Sequence, residues 1–365
     1  MLLSKTEIYS VLNKGKTGVV IILKAARLHQ YGNPLQIDKI DTPRPKGESV
    51  LVKVGGAGVC HSDIHFMKGE WEKTLDVKLP LTVGHETAGY VEDMGESVQG
   101  FSKGDPVAIF GGWGCGICQS CKGGDEQLCF SPRWPGLSRF DGGYAEYIHV
   151  PSYRFLVKAD GLDPKDIAPL TDAGLTPYRA VKKIRHLLNP DSFALTIGVG
   201  GLGCYAIQYL KLLSPASVIT IVRNKKKANL AKEMGADHII NSSEEDVSKR
   251  LKEITSSKGV DVVIDIVCSN DTLTTSVAAL RKQGTIVLVG LMGRTFELPI
   301  MQSVINEYSV VGSLWGNYNE LREVVDLDKR GKIKKSIEFF RLDDVGKAIE
   351  KLETGNILGR AVLMP

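Results

Sequence analysis

A glycine-rich loop between an apolar run and a helical run constrains the fold of this chain most strongly. Residues 193–203 read FALTIGVGGLG, which gives the spacing G-x-G-x-x-G directly after a predicted strand and at the start of a predicted helix. Glycines at this spacing allow a tight turn, close approach of a pyrophosphate and close helix–strand packing, while the helix N-terminus offers N–H donors to the phosphates. The predicted dinucleotide-binding residues of this loop are Gly198, Gly200, Gly201, Leu202 and Gly203.

The sequence around this loop has the alternation of a parallel α/β sheet. The apolar runs FALTIGV, SVITIVR, HII, VDVVIDIV, TIVLVG and YSVVGSL alternate with helix-forming stretches such as CYAIQYLKLL and KKANLAKEMG. Such alternation indicates βα units and a doubly wound parallel sheet. Because the glycines stand at the head of these units, they predict a Rossmann domain far more strongly than a glycine triplet alone.

The first part of the chain has a different pattern. Residues 24–150 place short apolar runs, among them SVLVKV, DPVAIF and YAEYIHV, between turns that contain glycine or proline, which is typical of a mostly β domain. After Leu314 the sequence is helical and charged, and it ends in AVLMP, a short strand that can return to the first domain. The length of 365 residues suits about two domains. We predict a catalytic domain at 24–174 with 315–365 and a dinucleotide-binding domain at 175–314.

The end of the second Rossmann strand bears on the choice of cofactor. An NAD site usually has Asp or Glu about 20 residues beyond the glycines, where the carboxylate accepts hydrogen bonds from the ribose hydroxyls. Here that place falls on Val222, followed by Arg223, Asn224 and Lys225. A guanidinium pairs bidentately with a 2′-phosphate, so we predict NADP(H), with Arg223 as the main contact and Asn224 and Lys225 assisting. The alternative is that Arg223 is solvated and the protein uses NAD or both cofactors.

Four of the seven cysteines are clustered in the segment CGICQSCKGGDEQLC. The apolar run VVIIL at residues 19–23 is shorter than the ~7–15 residues of a secretory signal core, so we predict a cytoplasmic protein. In a reducing cytosol, clustered cysteines are more often metal ligands than disulfides. A site with four thiolates is closed to water and substrate, which predicts a structural zinc; a disulfide pair or an iron–sulfur cluster is the alternative. The predicted ligands are Cys115, Cys118, Cys121 and Cys129.

The charge pattern excludes other classes of partner. The chain carries 46 basic and 42 acidic residues, a balance that does not favour nucleic acid, and it lacks a long basic block with interleaved aromatic residues. Residues 193–210 carry no charged side chain, but the glycines divide this run into a strand, a turn and a helix. We therefore expect neither a nucleic acid nor a membrane as a partner.

Two further segments complete a resemblance to a known family. Residues 84–98 read GHETAGYVEDMGESV, which fits G-H-E-x2-G-x5-G-x2-V, and residues 60–65 read CHSDIH. Together with the four-cysteine segment and the glycine loop, the chain from about Lys24 to Pro365 resembles the zinc-containing alcohol dehydrogenases of the medium-chain family, above all the microbial and archaeal members. The resemblance implies a GroES-like, mostly β catalytic domain beside the Rossmann domain, two zinc ions, and commonly a homotetramer, with a dimer as the alternative.

The resemblance implies a second, catalytic zinc site. Its ligands correspond to Cys60, His85 and Asp172, although many members have cysteine at the position of Asp172. Aspartate is also a competent zinc ligand. Glu86 either enters the zinc sphere when substrate or water leaves, or serves as a buried carboxylate behind the ligands. With a position open to the substrate, zinc supplies a Lewis acid for an alcohol or carbonyl oxygen.

The same resemblance assigns roles near the zinc. Ser62 corresponds to a hydroxyl that touches the substrate oxygen, and His65 to the terminal base of a proton relay, with an exposed structural histidine as the alternative. His61 stands where an arginine often contacts the cofactor pyrophosphate. Asp63 corresponds to the carboxylate that orients the histidine ligand, and Thr176 to a residue packed behind the nicotinamide.

The sequence alone is compatible with several interpretations of the substrate pocket and the function. Phe66, Trp113, Trp134 and Trp315 either line an apolar substrate pocket or pack loops. We favour apolar or aromatic alcohols with NADP, and the alternatives are an NAD-dependent alcohol or polyol dehydrogenase and a catalytically silent nucleotide-binding protein. Subunits of the family associate partly through the edge strand near residues 310–312. Residues 1–23 lie outside the resemblance. They are either an additional N-terminal arm or the result of a translation start assigned too far upstream.

Overall fold

The computed structural model describes residues 22–365, so nearly all of the N-terminal extension predicted at residues 1–23 lies outside the described residues. The first half of the described chain is mostly strand. Its elements are β1 (Ile22–Leu28), β2 (Gln36–Asp41), β3 (Val50–Val59), α1 (His61–Met67), β4 (Leu81–Thr82), β5 (Glu86–Met94), β6 (Pro106–Ile109), α2 (Gln119–Lys122), β7 (Tyr147–Val150), β8 (Leu156–Lys158), α3 (Pro164–Ile167) and α4 (Leu175–Ile184).

The second half forms the predicted parallel sheet. Its elements are β9 (Phe193–Ile197), α5 (Gly201–Leu213), β10 (Ser217–Val222), α6 (Lys225–Glu233), β11 (His238–Asn241), α7 (Val247–Ile254), β12 (Val260–Asp265), α8 (Asn270–Ala279), β13 (Leu280–Leu288), α9 (Ile300–Asn306) and β14 (Ser309–Gly312). The strand order is β11-β10-β9-β12-β13-β14, with every pair parallel. The order reverses between β9 and β12, which is the switch point where dinucleotides bind in this class of fold. The predicted fold class is confirmed.

The C-terminal segment returns to the first half of the molecule. It comprises α10 (Tyr318–Lys329), β15 (Ile337–Arg341), α11 (Val345–Glu353) and β16 (Arg360–Met364). The strand order of the larger sheet is β15-β16-β3-β5-β6-β8, and β7 also pairs with β3. Since β16 pairs antiparallel with β3, the last strand carries Arg360 to the end of β3 that precedes Cys60. The boundaries at 174/175 and 314/315 remain our proposed division.

A continuous apolar core joins the two halves. Buried side chains from both halves, among them Ile109, Leu175 and Leu210, belong to one cluster. Full burial of such a side chain contributes about 1.5–3 kcal/mol relative to its exposure, so the two halves support each other along this junction. Within residues 22–365, no helix is both long and apolar enough to cross a bilayer.

Candidate functional site

Three ligand-type side chains meet where the two halves join. Cys60 follows β3 and is the N-cap residue of α1, His85 immediately precedes β5, and Asp172 lies in the turn before α4. Their Sγ, ring nitrogen and carboxylate oxygen atoms all lie within 4.8 Å of one another. Cys60, His85 and Asp172 are only 7%, 4% and 8% exposed. A shared metal ion is the simplest chemical reason to gather such groups away from water.

Asp63 orients this group from behind. Its Oδ1 lies 3.0 Å from His85 Nδ1, and its Oδ2 accepts the backbone N–H of Cys60 at 2.9 Å. The Tyr144 hydroxyl also donates to Oδ2, at 2.6 Å. A carboxylate only accepts hydrogen bonds, so His85 Nδ1 carries the proton and Nε2 faces the cluster, 3.4 Å from Asp172 Oδ2.

The charges of the cluster favour a cation. Although burial opposes protonation, the Asp63 carboxylate holds the pKa of His85 well above its ordinary value. Burial acts against ionisation of Asp172, but hydrogen bonding and charge from His85 and the nearby Arg360 guanidinium keep its pKa well below the ordinary value. The raised pKa of His85 reflects the negative charge of Asp63 and Asp172, which stabilises a cation at this position. The lowered pKa of Asp172 reflects the positive charge of His85 and Arg360, which keeps this carboxylate ionised.

Glu86 is held by Arg360 rather than aimed at the ligand cluster. The Arg360 Nε atom donates to Glu86 Oε2 at 2.8 Å, Nη2 donates to the same oxygen, and the Ala173 backbone N–H donates to Oε1 at 3.2 Å. Complete burial raises the pKa of Glu86 to about 7. A Cβ at Gly58 would lie 2.2 Å from Glu86 Oε2, so the glycine makes room for this carboxylate. The arrangement favours Glu86 as a carboxylate behind the ligands.

The donor set fits zinc. A thiolate, an imidazole and a carboxylate give three protein ligands of the types that bind zinc in catalytic sites. The hydrogen bond from Asp63 to the far nitrogen of His85 is the usual support for a histidine ligand. Cys60, His85 and Asp172 would hold the ion and leave its fourth position for the substrate.

The four-cysteine segment forms a separate cluster. The Sγ atoms of Cys118 and Cys121 lie 3.4 Å apart, and Cys115–Cys121 and Cys118–Cys129 are each separated by 3.9 Å. All four thiols are free and lie within 4.8 Å of one another. Backbone N–H groups, first that of Cys121, lower the pKa of Cys118 to about 6. This geometry favours a closed tetrahedral site over paired disulfides.

The glycine loop has the geometry that its spacing predicts. Gly198 has a φ of +97°, which turns the chain sharply after β9, and Gly200 is the N-cap residue of α5. Gly201, Leu202 and Gly203 form the first turn of α5. A Cβ at Gly203 would lie 2.1 Å from the Gly198 carbonyl oxygen, so only glycine permits this close packing of helix on strand.

The cations after β10 differ in their surroundings. Arg223 and Lys225 are exposed, whereas Lys227 is half-buried. The Asn224 side chain caps α6 by accepting the backbone N–H of Lys227 at 2.9 Å, which explains its place at the start of the helix. Burial and the nearby Arg223 lower the pKa of Lys227. The sequence reasoning did not count Lys227, four residues beyond Arg223 and less exposed, among the candidate site residues.

The other predicted residues lie on α4 and α1. The Thr176 hydroxyl donates to Asp172 Oδ1 at 3.0 Å, so it contacts a candidate ligand directly. His61 and Ser62 form the first turn of α1. Partial shielding from water, together with the Arg360 cation, lowers the pKa of His61 to about 4. A neutral His61 offers a pyrophosphate a hydrogen bond rather than a charge. His65 lies one turn further along α1, 3.0 Å from a Glu70 oxygen.

The aromatic residues fall into two groups. Trp315 meets the His85 ring edge-on at 5.5 Å and donates its indole N–H to the Thr171 carbonyl at 2.9 Å, and Trp134 contacts Trp315 at 6.3 Å. These two form an apolar wall beside the cluster. Trp113 and Phe66 are fully buried, and Trp113 stacks on Phe155. Trp113 and Phe66 therefore pack the core.

Arg360 is the most consequential residue that the sequence reasoning missed. Its Nη2 donates to Asp172 Oδ2 at 2.8 Å, across 188 residues of sequence. A Cβ at Gly201 would lie 2.9 Å from Arg360 Cδ, so the same side chain crosses from the carboxylates to the glycine loop. Arg360 is the only charged residue of the short apolar strand β16, and it belongs to no recognisable motif.

The fold and the site together define a class of protein. A Rossmann sheet with its glycine loop lies beside a buried Cys–His–Asp cluster at the junction with a second domain, which is the organisation of a metal-assisted nicotinamide dehydrogenase. Family models agree: residues 46–161 match the alcohol dehydrogenase GroES-like domain, and residues 201–330 match the zinc-binding dehydrogenase domain.

Individual relatives cover nearly the whole chain. An NAD-dependent alcohol dehydrogenase from Saccharolobus solfataricus is 43% identical over 94% of this chain and 100% of its own length. A D-arabinose 1-dehydrogenase (NADP(+)) from the same organism is 36% identical over 94% of this chain and 97% of its own. The crystal structure of the Aeropyrum pernix alcohol dehydrogenase has a TM-score of 0.88 at 41% identity, covering 94% of this chain and 100% of that one. The chain belongs to the zinc-containing alcohol dehydrogenases of the medium-chain dehydrogenase/reductase family.

Proposed function

We propose that this alcohol dehydrogenase transfers hydride between an apolar or aromatic alcohol, primary or secondary, and NADP, and reduces the corresponding aldehyde or ketone in reverse. The observation that carries the proposal is the buried Cys60, His85 and Asp172 cluster, joined to the glycine loop through Arg360. The test is to measure kcat/KM for benzyl alcohol and a secondary alcohol with each cofactor, from the absorbance of the reduced nicotinamide. Absence of turnover on protein with zinc in both candidate clusters would contradict it.

The mechanism follows from what the side chains hold and move. Cys60, His85 and Asp172 would hold a zinc ion, which would supply a Lewis acid for the substrate oxygen. Asp63 fixes the imidazole orientation of His85 through the 3.0 Å contact. The glycine loop would bind the cofactor phosphates, and the Arg360 cation beside Gly201 would add positive charge next to them.

Proton movement is assigned to α1. Ser62 and His65 lie three residues apart on this helix, and residues at that spacing share a face. In the proposed reaction the alcohol gives its proton to this pair while the hydride goes to the nicotinamide. The apolar wall of Trp315 and Trp134 excludes water from the reacting atoms.

Arg223 is expected to determine the preference for NADP. Replacing Arg223 with alanine removes a charge-assisted, bidentate partner for the 2′-phosphate, so kcat/KM with NADP should fall about 10- to 100-fold. The value with NAD should change less than about twofold, since NAD carries no 2′-phosphate. Initial rates with both cofactors, on the wild type and on the variant, provide the measurement.

Lys226→Ala is the matched control, because Lys226 is an exposed cation three residues along the chain. It should leave both cofactor constants nearly unchanged. An equal loss of kcat/KM with NADP in both variants would mean that NADP is attracted by the overall positive charge of this segment and not by a specific contact with Arg223. A wild type that prefers NAD would overturn the NADP proposal, and the relatives named as NAD-dependent make NAD the leading alternative.

The apolar wall beside His85 supports the substrate class. Trp315 and Trp134 offer large apolar faces near the cluster and so favour alcohols with apolar or aromatic groups. A sugar or polyol is the second candidate, supported by the 36% identical relative named as a D-arabinose dehydrogenase. Higher kcat/KM for D-arabinose than for benzyl alcohol would reverse the order of these candidates.

We propose a homotetramer built from dimers that pair through the open edge of the parallel sheet. β14 is the last strand of this sheet, and its Val310 is exposed. The preceding helix α9 exposes a row of large apolar side chains: Ile300, Met301, Val304 and Ile305, which are 73%, 77%, 71% and 61% exposed. A continuous apolar surface of this kind is typical of an interface between subunits.

Replacing Met301 with glutamate is expected to weaken this assembly. In a symmetric apolar interface the new carboxylate occurs once in each subunit, so two charges are buried close together and repel each other. Light scattering coupled to gel filtration should show smaller species at micromolar concentration. Leu212→Glu, which places the same charge at an exposed apolar position on α5, is the control and should retain the wild-type mass. An unchanged mass for Met301→Glu would exclude this face as the interface.

A further inference from the structure

His65 is held from behind by a residue that follows the α1 turn. Its Nδ1 lies 3.0 Å from Glu70 Oε2, and the backbone N–H of Glu70 donates to the His65 carbonyl at 3.1 Å. Gly69 between them has a φ of +74°, which lies in the left-handed region that favours glycine. This residue reverses the chain after α1 and brings Glu70 back to the imidazole. The pair is therefore built into the turn.

A second contact fixes the plane of the same ring. The Trp71 indole stacks on the His65 imidazole with centroids 5.8 Å apart and 28° between the planes. The His65 side chain is 13% exposed. Because a carboxylate only accepts hydrogen bonds, Glu70 keeps a proton on Nδ1 and leaves Nε2 as the basic atom of the neutral ring.

We propose that Glu70 is a positioning residue for proton transfer in the alcohol dehydrogenase reaction. The inference rests on the proposed function of His65 as the relay base. In alcohol oxidation the substrate O–H bond breaks, and the proton passes by way of the Ser62 hydroxyl to Nε2 of His65. The hydride leaves the substrate carbon with its electron pair and goes to the nicotinamide, so the alcohol is oxidised and the cofactor is reduced.

Glu70 acts on this step through His65 alone. Its carboxylate holds the ring in the tautomer that exposes a basic Nε2 and balances the charge of the imidazolium that forms. Glu70 is 35% exposed on its side chain, so water can replace part of its effect. We therefore expect a smaller loss from changing Glu70 than from changing His65.

A double-mutant cycle tests the inference. His65→Asn should lower kcat about 100-fold, and Glu70→Gln about tenfold, because its amide retains the shape but loses the charge and can donate to Nδ1 instead. The KM for the alcohol, the cofactor affinity and the zinc content should change less than about twofold, since Glu70 contacts none of the binding groups. In the His65→Asn background, Glu70→Gln should cause no further loss.

The outcomes separate the inference from the function on which it rests. Wild-type kcat in Glu70→Gln, or a full tenfold loss repeated in the His65→Asn background, would overturn the role of Glu70 while leaving the relay in place. Wild-type kcat in His65→Asn would overturn the relay itself and the Glu70 inference with it. Asp38→Asn is the matched control, because Asp38 Oδ2 contacts His29 Nε2 at 2.8 Å on an exposed surface. This variant should keep the wild-type kcat.

Discussion

Replacing His85 with alanine is expected to lower kcat/KM at least about 1,000-fold, because loss of this ligand removes the Lewis acid. A Lewis acid contributes several kcal/mol of transition-state stabilisation, and each ~1.4 kcal/mol corresponds to a factor of ten in rate. Zinc content should fall from one ion in each of the two clusters to the four-cysteine site alone. Metal analysis of the purified variant and initial rates with benzyl alcohol measure both effects.

Zinc retained in the four-cysteine site shows whether the His85→Ala variant is folded. A variant that keeps the four-cysteine zinc and a cooperative unfolding transition has folded, so its loss of activity reports on the Cys60, His85 and Asp172 cluster. His186→Ala is the control, because His186 is exposed on the surface and should leave activity and metal content unchanged. A His85→Ala protein with near wild-type turnover would contradict the catalytic assignment.

Replacing Cys121 with alanine is expected to lower the free energy of unfolding by about 3–5 kcal/mol. Structural zinc contributes ~10–16 kcal/mol in small zinc-finger peptides, and part of that is retained here because three thiols remain and other contacts anchor the segment. Asp125 and Glu126 in this segment pair with Arg179 and Arg154, each at 3.0 Å. Urea denaturation with metal analysis measures the effect.

The control variant Cys204→Ala distinguishes the effect of losing a metal ligand from the effect of removing a buried cysteine side chain. Cys204 and Cys121 are 3% and 8% exposed, but Cys204 lies outside both candidate metal clusters. Its removal should cost only about 1 kcal/mol and leave the zinc content unchanged. Equal destabilisation of the two variants, or full zinc content in Cys121→Ala, would mean that the four-cysteine segment is not a structural zinc site.

The sequence predicted the fold well because its signals are local. The loop from Gly198 to Gly203 contains its turn, its close contact and its helix start within a few residues, and the structure has the predicted Rossmann sheet. The sequence does not predict strand β15, because its short run IEFFR lies in a charged stretch that favours helix. Its pairing with β16 decides its conformation, and that pairing is not a local property.

The candidate site shows the same division between local and distant signals. Cys60, His85 and the four-cysteine segment stand in motifs, and the structure brings these groups together as two clusters. Arg360 reaches Asp172 only because β16 pairs with β3, and Tyr144 reaches Asp63 across 81 residues. The position of Lys227 is determined by the turn of a helix, and that of Glu70 by the chain reversal at Gly69. Sequence motifs do not identify either residue.

Anomalous diffraction at the zinc absorption edge, on crystals of the purified protein, tests the central claim most directly. We expect one peak among the four cysteine sulfurs and a second peak about 2.0–2.3 Å from Cys60 Sγ, His85 Nε2 and an Asp172 carboxylate oxygen. A fully loaded protein without a peak between Cys60, His85 and Asp172 would contradict the account, because the proposed chemistry depends on a metal at that junction.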